Sequence, residues 1–359
     1  MTTNRSLVDK LVDAVLYEGY ILYPYRPSVK NRQRWTFGGL LPRAYSEAVD
    51  NNEPWRMQTE FLVRGGPETL VTVSVRFLHL VQRLVEQLDQ PATDVLDLER
   101  LPSRVVESLK VGDELLSTWQ EAEERRVGPE SVTLESLVER PRQVVFAFPA
   151  MRERTPILDA SGLIVGIITR ERHEINGEIE LNAFLEREGL FRLCLVVRNQ
   201  TPLPDDPDHE VDRDEALLHG LVSTNAVFSV RDGGFVSLTD PPDDVKAEAA
   251  SCRNVGAWPV LVGEEGATDT ILSAPIILSD YPQIAPESPG DLFDSTEVDE
   301  ILSLRIMTLT DEEKQAMAAV DQRARAVLDR TESLARDQLM GLHGTIRGLR
   351  RVGRGDDRG

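Results

Sequence analysis

The chain is poor in the residues on which most recognisable chemistries depend. Its 359 residues include two cysteines, Cys194 and Cys252, too few for a disulfide framework or a multi-cysteine zinc site. The five histidines, His79, His173, His209, His219 and His343, contain no pair at i and i+4, the spacing that sets two imidazoles on one helix face. Glycine-rich phosphate cradles are missing. Neither Gly-x-x-x-x-Gly-Lys-Ser/Thr nor Gly-x-Gly-x-x-Gly between a strand and a helix occurs. A Gly-x-Ser-x-Gly elbow is absent as well, which argues against an ordinary α/β-hydrolase. No apolar run approaches the roughly 20 residues that span a bilayer, and no signal peptide opens the chain, so a cytoplasmic protein is expected. Lysine is scarce, five among 40 basic residues, a bias typical of high-GC bacterial genes. What is abundant is negative charge: 61 acidic residues give a net charge of -21, which opposes binding to nucleic acid or anionic lipid.

The patterning predicts an α+β protein rich in antiparallel strands. Leu7, Val8, Leu11, Val12, Val15 and Leu16 share one helical stripe, with Ser6 and Asp9 as a capping box and Gly19 as a stop. From Trp55 the period is two. Met57, Thr59, Phe61 and Val63 alternate with Arg56, Gln58 and Glu60, Gly65-Gly66-Pro67 reads as a turn, and Val71, Val73, Val75 and Phe77 follow. Further strands are expected over 115–123, 143–148, 163–175, 178–185 and 190–198, with Asn176-Gly177 as a type I′ turn. Strands at 226–231 and 235–238, joined by a turn at Asp232-Gly233-Gly234, precede a helix ending near Cys252 and strands at 258–262 and 270–278. Capping boxes at Thr296 and Thr310 open two late helices. The expected division is a sandwich-like β-rich domain with its N-terminal helix over 1–202, an acidic linker or loop over 203–216, and a smaller α+β unit over 217–294. A helical segment over 295–339 and a disordered tail over 340–359 complete it.

Candidate chemistry is sparse. Cys194 lies in an apolar strand and reads as core, and Cys252 has no identified histidine partner. A hydrolytic site from Ser223, His219 and Asp240 would have to be assembled by the fold, since sequence proximity does not make a triad. The acidic run from Asp205 to Glu215 alternates oxygen ligands, but Arg213 stands where a calcium loop needs glycine. No cofactor, metal or catalytic residue is assigned.

One segment stands apart. Residues 19–46 carry five positive charges and no negative one, which leaves -26 for the rest of the chain. Tyr20, Tyr23, Tyr25, Trp35 and Phe37 interleave with Arg26, Lys30, Arg32, Arg34 and Arg43. Planar guanidinium and ring faces bury area at low rotamer cost, the composition of interaction hot spots. The same strip could instead lie across the protein's own acidic face. Tyr23, Tyr25, Arg26, Arg32, Arg34, Trp35 and Phe37 are therefore the expected contacts to a protein partner. A second segment, 274–293, sets Pro275, Pro282, Pro286 and Pro289 around Tyr281, Ile284 and Phe293, either a recognition surface or a stiff connector.

Both segments carry a resemblance. The run from Tyr23-Pro24-Tyr25-Arg26-Pro27 through Arg34-Trp35-Thr36-Phe37-Gly38-Gly39 resembles the N-terminal signature of a bacterial, actinobacterial-type family associated with gene clusters for uptake NiFe hydrogenases. Pro275-Ile276-Ile277-Leu278 and Ala285-Pro286-Glu287-Ser288-Pro289-Gly290-Asp291-Leu292-Phe293 resemble a second signature of that family, followed by Glu300-Ile301-Leu302 and Leu309-Thr310-Asp311-Glu312. The resemblance spans Ile21 to about Leu334 and brings no fold or catalytic residue. It implies a cytoplasmic, non-enzymatic accessory that assists assembly, maturation or scaffolding of a hydrogenase by binding its subunits. The alternative is an enzyme of unknown class with a site in an interdomain cleft.

Overall fold

The computed structural model describes residues 8–13, 15–16, 38–49, 53–93, 98–203 and 210–282. The described chain is dominated by antiparallel β-sheet. Its strands are β1 (Arg56–Ala92), β2 (Ser103–Val106), β3 (Ser108–Val111), β4 (Glu114–Ser117), β5 (Trp119–Val127), β6 (Val132–Thr133) and β7 (Arg142–Phe148). They continue with β8 (Met151–Leu158), β9 (Ile164–Arg172), β10 (Ile175–Arg187), β11 (Leu190–Asn199), β12 (Val222–Phe235), β13 (Trp258–Leu261) and β14 (Thr270–Ala274). The helices are short: α1 (residues 8–13 and 15–16), α2 (Arg43–Ala48), α3 (Leu134–Glu139), α4 (Arg213–Leu218) and α5 (Lys246–Ser251).

The main sheet runs β13-β14-β12-β1-β11-β10-β7, so strands from both sides of the acidic stretch share one sheet. Strand β1 organises it. One edge pairs in turn with β11, β6, β5 and β2, and the opposite edge with β12 and then β9. Met57, Phe61 and Val63 before the 65–69 irregularity, and Val71, Val73, Val75 and Phe77 after it, face the central core. They meet Phe191, Leu193, Leu195 and Val197 of β11, Ile179 and Leu181 of β10, and Phe228 of β12. Leu134 and Leu137 of α3 close that core, with Thr133 as the cap whose hydroxyl accepts from the Ser136 amide.

The expected N-terminal stripe is present. Val8, Leu11, Val12 and Val15 pack on Val260, Val262, Leu272 and Ala274, and Leu16 reaches Leu78 and Leu80. Each such aliphatic burial is worth about 1.5–3 kcal/mol gross. Ser6 and Gly19, and the late helices and tail over 295–359, lie outside the described residues.

Three expected turns are not turns. Gly65-Gly66-Pro67 is a bulge inside β1, where the register against β12 shifts between Gly65 and Leu70 while the strand keeps its direction. Thr69 holds the bulge: its hydroxyl donates to Asp232 O at 2.8 Å and accepts from the Gly66 amide at 2.9 Å. Asp232-Gly233-Gly234 lies within β12 opposite that bulge. A Cβ on Gly233 would sit 2.7 Å from Arg64 O, so glycine is needed for close backbone approach rather than reversal. Asn176-Gly177 lies within β10, pairing with Ala147 and Phe146 on one side and with Asn199 at Gly177 on the other. The Phe146 ring covers Gly177 and fills the space a side chain would take.

Strand β9 consequently pairs with β8 and β1 instead of β10. Phe148 faces Ile175 and Met151 faces Arg172 on a common register, so β7–β8 and β9–β10 form one long hairpin. Its tip is the Asp159–Leu163 turn, where Asp159 accepts from the Ser161 and Leu163 amides.

Candidate functional site

Tyr23, Tyr25, Arg26, Arg32, Arg34, Trp35 and Phe37 lie outside the described residues. The described residues that bracket them are fixed at one place on β12. Ser223 Oγ donates to Val15 O at 3.4 Å, and the Thr224 amide donates to Gly38 O at 2.9 Å. Leu40 and Leu221 then exchange a pair of backbone hydrogen bonds at 3.0 Å. Gly38 adopts φ +67°, and a Cβ there would lie 2.4 Å from the Pro275 ring. The two segments singled out in the sequence therefore touch at this corner.

The corner is polar and sealed. Ser223, Thr224 and Asn225 are buried, and Ser223 holds the left-handed φ of 54°. Opposite Asn225 stands Arg76, 2% exposed, which donates to Glu124 at 2.7 Å and to Asp13 of α1. Burial disfavours its charge, but those two carboxylates more than offset the loss and raise its pKa.

The described end of the basic segment opens on a groove of about 750 Å³. Arg43, at the start of α2, is exposed, and its guanidinium lies 4.9 Å from the Trp55 ring centroid. Arg56 approaches the same ring at 5.6 Å. Arg43 also donates to Glu47 at 2.7 Å. On the far wall Arg198 donates to Glu180 at 2.9 Å and lies 3.5 Å from Glu178. Asn182 and then Arg198, against a burial penalty, hold the Glu180 carboxyl below its usual pKa. The groove thus presents the Trp55 ring with the Arg43 guanidinium over it, facing a wall of fixed charges. Such a surface grips peptide and side-chain groups by stacking and by planar hydrogen bonding.

The residues of the alternative hydrolytic site do not assemble. Ser223 is committed to Val15, while His219 sits 3.4 Å from Glu174 O with its ring 4.7 Å from that of His173. The Asp240 amide bonds to Ser237, and Cys252 packs under α5 beside Leu62 and Val236. Burial pushes the Cys252 thiol up to about 11; burial, with Glu60 beside it, pushes Cys194 to about 12. Both therefore stay protonated and poorly nucleophilic at neutral pH. Among the described residues no group of three or more His, Cys, Asp or Glu is placed to hold a metal ion, and no helix is long and apolar enough to cross a membrane. His209 lies outside them; the end of the acidic run folds into α4, with Asp212 accepting from the Glu215 amide.

Sequence reading missed the Trp55 cluster, because Trp55 lies nine residues beyond the basic segment and is joined to it only by the fold of α2 onto β1. It also missed a convergence of His79, His173 and His219, which are far apart in the chain. No family model matches the chain, and no curated protein matches it.

Proposed function

We propose that this protein is a non-enzymatic accessory that docks on a protein partner through the basic aromatic segment and the Arg43–Trp55 groove beside it. The observation that carries the reading is the exposed guanidinium of Arg43 stacked on Trp55 at the rim of a groove, next to the segment whose flanks are pinned to β12. Arginine and tryptophan on a half-buried platform are what interface hot spots are made of. The resemblance of residues 23–39 and 275–293 to proteins from NiFe hydrogenase clusters makes hydrogenase subunits the partner of this proposal.

The test is binding of purified hydrogenase subunits to the full chain, to an Arg43→Glu, Trp55→Ala variant, and to an Arg32→Glu, Arg34→Glu variant. The expected result is measurable binding that weakens at least tenfold in each variant. Absence of binding by the wild-type chain removes the partner, and equal affinity across all three proteins removes the surface.

A further inference from the structure

Three of the five histidines meet where the long hairpin crosses from the main sheet to its distal half. The ladder is interrupted there: Pro149-Ala150 stand opposite His173-Glu174, between the β7–β10 and β8–β9 pairings. Both carbonyls of the interrupted strand turn to imidazoles. His79 Nε2 lies 2.9 Å from His173 O, and His219 Nδ1 lies 3.4 Å from Glu174 O. His219, the C-cap residue of α4, also sets its ring edge-on to His173 at 4.7 Å.

A carbonyl oxygen only accepts, so His79 carries its proton on Nε2 and its bare nitrogen is Nδ1. That Nδ1 is buried with no hydrogen-bond partner, in a residue 0% exposed. A second proton would strand both an unmatched N–H and a charge. The neighbours make it worse. Arg125 of β5 and Arg172 of β9 face the ring, and Glu123, the β5 carboxylate beside it, is already bonded to both arginines. Burial and then His173 likewise disfavour a charge on His219, against the Glu174 carbonyl and the Glu215 and Glu174 carboxylates.

The geometry points to an acid-released joint: below neutral pH, proton uptake at His79 and His219 frees the hairpin crossing from β1, which carries His79, and from α4, which His219 caps. Burial, then the two arginines against the His173 carbonyl and Glu123, lowers the His79 pKa to about 4 from 6.5. The sign follows. The closed joint binds fewer protons than the open one between these values, so opening is suppressed above pH 6.5 and grows as pH falls toward 4. For His79 alone the opening constant rises about tenfold from pH 7.5 to 5.5.

Amide hydrogen exchange on the full chain, corrected for the intrinsic pH dependence of exchange, reads this directly. The Asn176 amide, bonded to Thr201 Oγ1, and the Gln200 amide, bonded to Asn176 O, should lose about tenfold or more in protection over that range. The Leu193 and Leu195 amides in the main sheet should not. In His79→Gln, whose Nε2 can still donate to His173 O, the loss should shrink about tenfold. An unchanged wild-type profile, or the full loss retained in His79→Gln, overturns the proposal. If that variant does not fold, the imidazole resonances of the wild type decide. A His79 ring that stays neutral to below pH 5 in the closed form supports the joint, and one titrating near 6.5 overturns it.

Discussion

Replacing Gly177 by alanine should destabilise the protein, although glycine to alanine within a strand ordinarily stabilises by roughly 0.5–1 kcal/mol. A Cβ at position 177 would lie 2.2, 2.7 and 2.9 Å from Cζ, Cε2 and Cε1 of Phe146, where ordinary contact begins near 3.4 Å. The ring must therefore retreat by more than 1 Å. It has little room, being packed 5.8 Å from Phe77 and 6.0 Å from Phe148 in the central core. Overpacking of this kind costs about 1–3 kcal/mol, which outweighs the entropic gain. Phe146→Val removes the colliding atoms at a cost on the order of 2 kcal/mol. On that background Gly177→Ala should become neutral or stabilising, a coupling of about 1–3 kcal/mol in a double-mutant cycle followed by urea unfolding. If Gly177 were instead required for a turn with positive φ, the penalty would persist without the ring. Additive effects of the two substitutions would refute the packing account.

Gly38→Ala should cost about 2 kcal/mol or more in urea unfolding, because alanine is disfavoured at φ +67° and its Cβ would collide with Pro275. Pro275→Ala should recover part of that loss, and a neutral Gly38→Ala would show that the corner is not sealed. Glu86 is about nine-tenths buried and accepts from Arg154 at 2.7 Å and from Ser103 and Thr169 at 2.5 Å. Burial alone would raise its pKa, but these bonds lower it below 4.5. Its contribution to stability is therefore complete above pH 4.5 and disappears as pH falls through the folded-state value. Glu86→Gln should lose about 2–4 kcal/mol at pH 7 and show a shallower fall in stability from pH 5 to 3. An equally steep acid limb in that variant would count against the assignment.

What the sequence made legible was whatever one period could encode. The α1 stripe at Val8, Leu11, Val12 and Val15 and the alternation of Met57, Phe61 and Val63 each report the face that meets a hydrophobic cluster. Strand β1 became unreadable beyond Phe77, since Leu78 and Leu80 pack under α2 and α4 while His79 and Arg83 occupy the opposite face, which breaks the alternation. The three glycine-bearing signals misled for one reason. Asn-Gly and Gly-Gly say that a backbone needs unusual freedom or space, and here the space at Gly177, Gly233 and Gly65 is taken by the Phe146 ring, the Arg64 carbonyl and the Thr69 side chain rather than by a reversal. The groove was illegible because it joins α2 to β10 and β11, which no local pattern connects.

Strand β1 also sets a timetable for synthesis. Its residues 70–78 emerge early, but the partner that completes their edge, β12, arrives only with residues 222–231. At about 5–20 residues per second, that edge waits on the order of 10–30 s on the ribosome. A long β-rich edge left open for that time is an invitation to pair with other nascent chains. Yield in a cell should therefore respond to translation speed and chaperone supply more sharply than the folded stability alone would suggest.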